Sequence, residues 1–298
     1  MKKTAFLVLL PWALSAQISP LRETVHYNMI SAMAQPENVV QLNLRDRHQF
    51  FVPQEVGQMR RLRFFNLMGN NLEQLDACLF GLAQLEDLNL QGNALKYIPA
   101  TIGKLSHLDR LDLRLNDISQ LPEQMASLRR LRYLHLSVNA LTRLPENLGD
   151  CRKLLILEAD NNQLNRLPSS IGQLKRLQTL NLGYNQFYEF DTDWTRLQSL
   201  ETLDLQFNLL RVLPQNLGRL GKLKILMLNN NKIKEIPDSV TALERLELLS
   251  LANNELDRLP IEIGKLQNLR TLLLNGNPLP ESEKTRIVKA LPLCKVYF

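Results

Sequence analysis

The sequence has few of the residues that perform most protein chemistry. Its 298 residues include three cysteines and four histidines, and aromatic residues make up 6% of the chain. The metalloprotease pattern HExxH, the hydrolase pattern GxSxG, the phosphate-binding pattern GxxxxGK and the thiol pattern CxxC are all absent from it. We therefore expect a protein that is not an enzyme and that uses no metal and no cofactor.

A strong excess of one charge is also missing. The 36 lysines and arginines stand against 30 aspartates and glutamates, which gives a formal net charge of +6. Binding of nucleic acid usually needs clustered basic residues and a stronger positive field than this composition supplies. The composition therefore favours a protein or peptide partner over nucleic acid.

Long apolar runs are missing except near the N-terminus. Lys2 and Lys3 precede an apolar stretch over residues 5–14, and Ser15 and Ala16 follow it. A basic start, a short apolar segment and a small residue before the cut are typical of a signal peptide. We predict a signal peptide over residues 1–16 and export to a secreted or periplasmic location; the alternative is a retained N-terminal helix that packs on the domain. The run is shorter than the ~20 residues that span a bilayer, so no membrane insertion is expected.

What the sequence does have is leucine in a strict period. The segment from Leu108 to Ile118 fits the pattern LxxLxLxxNxL, and the segment that begins at Leu131 fits it too. The asparagine of this pattern recurs every 23 residues without an insertion, and one further step back places Arg47 in the same column. We therefore predict eleven repeats over residues 39–280. The asparagines are Asn70, Asn93, Asn116, Asn139, Asn162, Asn185, Asn208, Asn231, Asn254 and Asn277.

The spacing within a repeat predicts its local structure. Alternating residues such as Leu111 and Leu113 indicate a short strand with both side chains in the core. The asparagine that follows predicts a bend whose buried backbone groups bond to its amide, and we expect these amides to link neighbouring repeats. A Leu-Pro step, as at Leu121-Pro122, then starts the outer segment, because proline has no backbone N–H that needs an acceptor. No single repeat can bury its apolar face, so the repeats must stack.

The complete unit, LxxLxLxxNxLxxLPxxIGxLxx, resembles the 23-residue leucine-rich repeats of Scribble, Erbin, the Ras-suppressor proteins and the plant Ras-group-related repeat proteins. The resemblance covers about residues 39–280. It implies an α/β solenoid, which is a curved leucine-rich-repeat stack with a parallel sheet on the concave face and short helical or irregular segments on the convex face. It also implies a non-enzymatic, protein-binding scaffold, and we expect a monomer. The alternative function is an intracellular signalling regulator that binds a small GTPase or a kinase.

The two ends of the stack need covers, because a terminal repeat exposes its apolar side and its strand edge. Residues 17–38 are predicted to form an N-terminal helical cap, with an amphipathic helix from Leu21 to Ala34. Residues 281–298 are predicted to form a C-terminal cap. In that cap we expect a helix from Glu281 to Ala290 and a final strand from Cys294 to Phe298.

Four positions in each repeat are predicted to lie on the concave wall, namely those six, four, two and one residues before the asparagine column. Aromatic and aliphatic residues recur at these concave positions in repeats four to nine, although no core requires them there; Leu115 and Val138 are two of them. Contiguous apolar surface usually marks an interface, and the alternative is that these side chains only pack on one another. The predicted partner-binding residues are Tyr133, His135, Ile156, Glu158, Tyr184, Asp204, Phe207 and Met227.

The concave positions carry an acidic excess, which favours a basic or neutral peptide. His135 is also predicted to lie beside Glu158 of the next repeat, and such a pair could act as an acid–base couple in a hydrolase. A nucleophile and oxyanion donors are missing from the pattern, so we interpret the pair as part of an interface. The acidic residues are Asp46, Asp87, Asp112, Glu158, Asp160 and Asp204, against Arg45, Arg110 and Arg114.

Overall fold

Each repeat contains a three-residue strand that pairs with the strand of the next repeat. In a computed structural model, which describes residues 23–298, thirteen strands follow one another in chain order and form one parallel sheet. The sheet curves into an open solenoid, which confirms the predicted fold class. The predicted signal peptide over residues 1–16 lies outside the described residues. The strands are β1 Val25–His26, β2 Gln41–Asn43, β3 Phe64–Asn66, β4 Asp87–Asn89, β5 Arg110–Asp112, β6 Tyr133–His135, β7 Ile156–Glu158, β8 Thr179–Asn181, β9 Thr202–Asp204, β10 Ile225–Met227, β11 Leu248–Ser250, β12 Thr271–Leu273 and β13 Lys295–Tyr297.

One register is kept along the repeats. Leu111 in the centre of β5 lies opposite Leu88 of β4 on one side and opposite Leu134 of β6 on the other, a step of 23 residues each time. These central leucines are fully buried, and each contributes roughly 1.5–3 kcal/mol to the free energy of folding. Because the period does not change, every position of the repeat forms a column along the solenoid.

The asparagine column joins each repeat to the one before it. The Nδ2 group of Asn116 donates to the backbone oxygens of Leu113 and, in the preceding repeat, of Leu90, each at 3.0 Å. Its Oδ1 atom accepts the backbone N–H of Leu95, also in the preceding repeat, at 3.1 Å. The same pattern recurs from Asn70 to Asn277, which confirms that the amides link neighbouring repeats.

The convex side of the stack is built from short 3-10 helices. In repeat four the segment follows Pro122, whose backbone oxygen accepts the N–H of Met125 at 3.0 Å. The side chain of Met125 is fully buried, so the outer segment also contributes to the core. The 3-10 segments are Pro36–Asn38, Gln54–Gln58, Ala77–Gly81, Ala100–Lys104, Glu123–Ser127, Leu148–Asp150, Ser169–Gln173, Thr192–Arg196, Leu217–Arg219, Asp238–Ala242 and Ile263–Lys265.

Aromatic rings fill the convex core of repeat seven, where the Leu-Pro and Ile-Gly pattern is broken. Trp194 takes the position that Ile171 has in the repeat before, and it is 2% exposed. Its ring centroid lies 5.3 Å from that of Phe187 and 4.8 Å from that of Phe190. Larger side chains therefore replace the usual aliphatic ones at three core positions, and the strand register around them is unchanged.

The N-terminal end differs from the predicted helix over Leu21–Ala34. Strand β1 pairs with β2 and covers the first strand of the repeats, because the backbone groups at that open edge need partners. Helix α1 covers only Met29–Met33. It begins after Asn28, whose side-chain oxygen accepts the backbone N–H of Ser31 at 2.8 Å. Leu21 itself lies outside the described residues.

The C-terminal end has the predicted helix followed by a strand. Helix α2 covers Glu281–Ala290 and buries Ile287 against the last repeat. Strand β13 then pairs with β12 and extends the sheet by one strand. Within residues 23–298 no helix is long and apolar enough to cross a membrane.

The asparagine column allows a test of stability. In Asn162→Ala the backbone oxygens of Leu136 and Ala159 and the N–H of Leu141 lose their partner. Since a buried polar group without a partner costs about 1–3 kcal/mol, we expect the free energy of unfolding to fall by roughly 2–4 kcal/mol. Urea unfolding followed by circular dichroism measures it, with the exposed neighbour Gln163→Ala as control. Equal losses in both variants would contradict a structural role for the column.

Candidate functional site

The concave wall is formed by the outer residues of the strands and the start of each bend. In β6, Leu134 is fully buried in the core, while Tyr133 and His135 on either side of it lie on the concave face. Burial of the predicted partner-binding residues varies along this wall. Tyr184 and Phe207 are exposed, Tyr133, Ile156 and Glu158 are half-buried, and His135, Asp204 and Met227 are buried.

A chain of polar contacts crosses the concave positions of repeats three to six. We call this part of the wall the charged half. The Nδ1 atom of His135 lies 2.7 Å from Oε2 of Glu158, so the predicted pair is present. The Nε2 atom of His135 lies 3.4 Å from Nη1 of Arg110, whose Nε lies 3.7 Å from Oδ2 of Asp87. Both ring nitrogens of His135 are therefore engaged within the wall.

The carboxylates of this chain have different acidities. Burial raises the pKa of Asp87 to about 6, although the charge of Arg110 opposes the rise. Burial also acts to raise the pKa of Glu158, but its hydrogen bond to His135 and the charges of His135, Arg114 and Arg110 outweigh this effect and lower the pKa. Glu158 is thus held as an anion between its cationic neighbours.

Two guanidinium groups hold the ring of Tyr133. The central carbon of Arg110 lies 4.6 Å from the ring centroid, and that of Arg132 lies 5.3 Å from it. Arg132 is itself fixed by Asp109, with 2.8 Å between Nη2 and Oδ2. Each cation–π contact of this kind contributes ~0.5–1 kcal/mol or more, so the ring is presented in one orientation.

Repeats seven to eleven form a neutral half of the wall. Their concave positions include no lysine or arginine and one carboxylate, that of Asp204. This carboxylate is 2% exposed and accepts the backbone N–H and the Nε2 group of Gln206, each at 2.9 Å. Burial, together with the charge of Asp160, raises its pKa to about 6, although the hydrogen bonds from Gln206 oppose the rise. The ionised form of this carboxylate therefore carries an unfavourable free energy of burial unless a cation pairs with it.

Two exposed aromatic rings lie beside Asp204 in the same two repeats. Tyr184 and Phe207 stack with their centroids 4.2 Å apart and their planes 12° from parallel. Their side chains remain 45% and 40% exposed, so this stack covers neither ring completely. The two rings therefore pack on each other and still leave apolar surface open to solvent, which their stacking does not explain.

The last concave position of every repeat has a left-handed backbone, a feature that the sequence analysis missed. The φ angles lie between +51° and +59° at the eight non-glycine residues of this column. Residues that adopt this conformation easily occupy it in seven repeats, and the apolar residues of the other four are 40–48% exposed. The first group is Asp46, Gly69, Gly92, Asn161, Asn230, Asn253 and Gly276; the second is Leu115, Val138, Tyr184 and Phe207.

Left-handed backbone at the four apolar residues opposes folding. It costs roughly 1–2 kcal/mol for an ordinary L-residue, and a β-branched residue such as Val138 is a clear outlier there. The signal that could have revealed this column is the recurrence of glycine, asparagine and aspartate in it. Leu115 and Val138, which were not among the eight predicted residues, share the strain and exposure of Tyr184 and Phe207 and belong with them.

The contacts of the wall suit recognition by charge and by aromatic surface. The hydroxyl of Ser137, two residues after His135 on the wall, donates to Asp160 at 2.5 Å rather than to the imidazole. In the described part of the chain, no group of three or more His, Cys, Asp and Glu side chains is placed to hold a metal ion.

Comparison with known proteins agrees with this geometry. A family model described as a leucine-rich repeat region matches residues 123–208, and one described as leucine rich repeat matches residues 221–279. The fold is a leucine-rich-repeat solenoid. No curated protein sequence matches the chain.

Solved structures resemble the solenoid over most of its length. A leucine-rich-repeat protein of Leptospira interrogans is 26% identical with a TM-score of 0.53, and the match covers 93% of this chain and 100% of that chain. A TDR receptor is 28% identical with a TM-score of 0.80, over 93% of this chain and 50% of that chain. The ectodomain of the plant membrane receptor kinase GASSHO1/SCHENGEN3 from Arabidopsis thaliana is 28% identical with a TM-score of 0.71, over 86% of this chain and 35% of that chain. The chain thus spans half or less of these two receptor chains.

The left-handed column allows a second test of stability. In Val138→Asn a β-branched residue at φ +59° becomes one that tolerates this conformation. We expect the free energy of unfolding to rise by roughly 1 kcal/mol, because asparagine is less strained there. The matched control is Val212→Asn, since Val212 is 69% exposed and is not among the residues with positive φ. Urea unfolding compares them; an unchanged or lower stability for Val138→Asn would contradict the strain.

Proposed function

We propose that the protein is a non-enzymatic recognition scaffold that binds a protein or peptide on its concave wall, between strands β5 and β10. The observation that carries this proposal is the row of exposed apolar side chains at left-handed positions. Exposure and backbone strain both lower stability, and both fall on Leu115, Val138, Tyr184 and Phe207. Strain that persists at a surface is more readily explained by binding than by folding.

The surroundings of this row also support a protein interface. The ring of Tyr133, the pair of His135 and Glu158, and the half-buried Ile156 lie on the same wall and present polar and apolar groups together. Aromatic anchors surrounded by polar groups are typical of binding hot spots. Asp204 and Met227 are buried in the unbound protein. We propose that a partner contacts them only where one of its side chains inserts between the residues of the wall.

Relatives of similar architecture support a peptide or protein ligand. The GASSHO1/SCHENGEN3 ectodomain was solved in complex with CASPARIAN STRIP INTEGRITY FACTOR 2, and another structure, of PEPR1 with AtPEP1, is 28% identical to this chain. The chain covers 39% of the PEPR1 chain, and this part aligns with a TM-score of 0.76. From these proteins we transfer to this chain only one property, the binding of a polypeptide by the solenoid.

The proposal can be tested by affinity capture from native extract. Three full-length baits are compared: the wild type, a Tyr133/Tyr184/Phe207→Ala triple variant, and a Tyr97/Ile261/Leu293→Ala control. The control residues are 53%, 85% and 90% exposed and lie off the concave columns. Since an aromatic hot spot contributes 2 kcal/mol or more, we expect at least about tenfold less partner on the first variant and no loss on the control.

The result has a clear reading if all three baits unfold at the same temperature. A partner that is retained equally by the concave variant and the wild type would contradict the concave interface. A partner lost equally from both variants would contradict it too, because the loss would not depend on the wall.

We further propose that the protein acts outside the cytoplasm. This rests on the basic start at Lys2 and Lys3, the apolar stretch over residues 5–14 and the ectodomain character of the GASSHO1/SCHENGEN3 relative. In native cells we expect the mature chain to begin at Gln17, because cleavage should follow Ala16. Intact-mass measurement of the purified protein tests this. A mass that retains residues 1–16 would instead support the intracellular signalling regulator.

A further inference from the structure

The carboxylates of the two halves of the wall are balanced differently. In the charged half, three of the four concave carboxylates, those of Asp87, Asp112 and Glu158, lie beside an arginine or a histidine of this chain. The fourth, Asp160, is half-buried and accepts the hydroxyl of Ser137 and the side-chain amide of Asn161. In the neutral half, the hydrogen bonds that Asp204 accepts from the described residues come from the backbone N–H and the uncharged side chain of Gln206. Within residues 23–298 no lysine, arginine or histidine forms an ion pair with Asp204, and the charge of Asp160 acts to raise its pKa. The solenoid thus holds a buried negative charge without supplying its cation.

The group that covers Asp204 is one that a ligand can replace. Gln206 is half-buried, and its amide is held only by Asp204 and by the Nδ2 group of Asn229 at 3.2 Å. Gly183 of the preceding repeat packs closely against the carboxylate and against Gln206. A Cβ atom there would lie 3.3 Å from Oδ1 of Asp204 and 3.1 Å from Cγ of Gln206. Movement of one flexible side chain therefore opens a path from the concave face to the carboxylate.

Aromatic surface lies next to this path. Tyr184 directly follows Gly183 in the chain, and Phe207 directly follows Gln206, so the stacked rings border the same two repeats. A lysine or arginine side chain has an apolar stem and a cationic head, and it can place the stem on an aromatic ring while the head reaches a carboxylate. An acidic or uncharged side chain would match only part of this surface.

We propose that Tyr184, Phe207 and Asp204 form a subsite for one lysine or arginine side chain of an extended peptide segment that lies along the concave wall. This inference rests on the proposed function and adds the chemistry of the ligand. In the complex the cationic head displaces the Nε2 group of Gln206 and bonds to the carboxylate of Asp204. The stem packs on the exposed faces of Tyr184 and Phe207. The occupant follows from charge complementarity, because the neutral half lacks a cation of its own at the concave positions.

The test is selection from a displayed library of random nine-residue peptides, in which basic and acidic residues are equally frequent. The full-length wild type, Asp204→Asn and Asp238→Asn are used as baits. The control makes the same change of charge at an exposed residue of a convex 3-10 segment. We expect the wild type and Asp238→Asn to enrich lysine or arginine at one peptide position by about tenfold, as a charge-assisted hydrogen bond predicts. In Asp204→Asn this enrichment should vanish while peptides are still recovered.

Several results would overturn the inference. Peptides selected by the wild type without basic enrichment, or equal basic enrichment by Asp204→Asn, would exclude the subsite and leave the proposed function intact. If no peptide is enriched while the capture assay still yields a partner that needs the concave aromatics, the peptide occupant is wrong. Failure of the capture assay overturns the proposed function itself. Circular dichroism and thermal unfolding verify that Asp204→Asn is folded; the isosteric amide keeps an acceptor for the backbone N–H of Gln206.

Discussion

In ten of the eleven repeats the side-chain amide of one asparagine bonds to the backbone of the repeat before it, and the rest of the structure depends on this contact. A bend that follows a three-residue strand leaves buried backbone groups without partners in their own repeat. Asn116 satisfies an oxygen at Leu113 and, one repeat away, an oxygen at Leu90 and the N–H of Leu95. Because these bonds reach into the neighbouring repeat, they hold the bend of each repeat at a fixed position against the one before it, which agrees with the constant period of 23 residues.

The same bend determines the backbone of the residue before the asparagine. The amide also reaches the oxygen of the residue two positions earlier, as in the 3.1 Å bond from Asn116 to Arg114. For the chain to turn in this way, Leu115 between them takes a φ of +55°. Asp46 has the same φ of +55° before Arg47, so the bend keeps the left-handed column even in the one repeat without the asparagine. Glycine, asparagine and aspartate are the residues with the least backbone strain in this column. Backbone conformation therefore does not explain why Val138, Tyr184 and Phe207 occupy it.

A constant register turns single residues into rows along the concave face. Neighbouring strands are about 4.8 Å apart, so side chains at one position of successive repeats contact each other directly. The chain from Asp87 through Arg110 and His135 to Glu158 and the stack of Tyr184 on Phe207 both arise in this way. The charged half pairs most of its carboxylates with its own cations, whereas the buried carboxylate of Asp204 in the neutral half forms no ion pair with the described residues. This difference directs the search for a ligand to Asp204.

The repeat could be predicted from the sequence, because its period, its core leucines and its asparagine recur in one fixed spacing; the fold class and the concave positions followed from that spacing. The C-terminal helix was predicted separately, from the stretch beyond the repeats. The pair of His135 and Glu158 followed as well, since residues 23 positions apart must lie side by side in such a stack. Strand β1, which lies inside the predicted helix from Leu21 to Ala34, could not be predicted, because it is stabilised by the sheet edge that it covers. Burial of Asp204 and Met227 also required the tertiary structure, since it depends on how closely the neighbouring repeats crowd each side chain. The left-handed column was present in the sequence as a pattern, but its physical cause is a set of contacts between repeats, and only the folded stack brings those groups together.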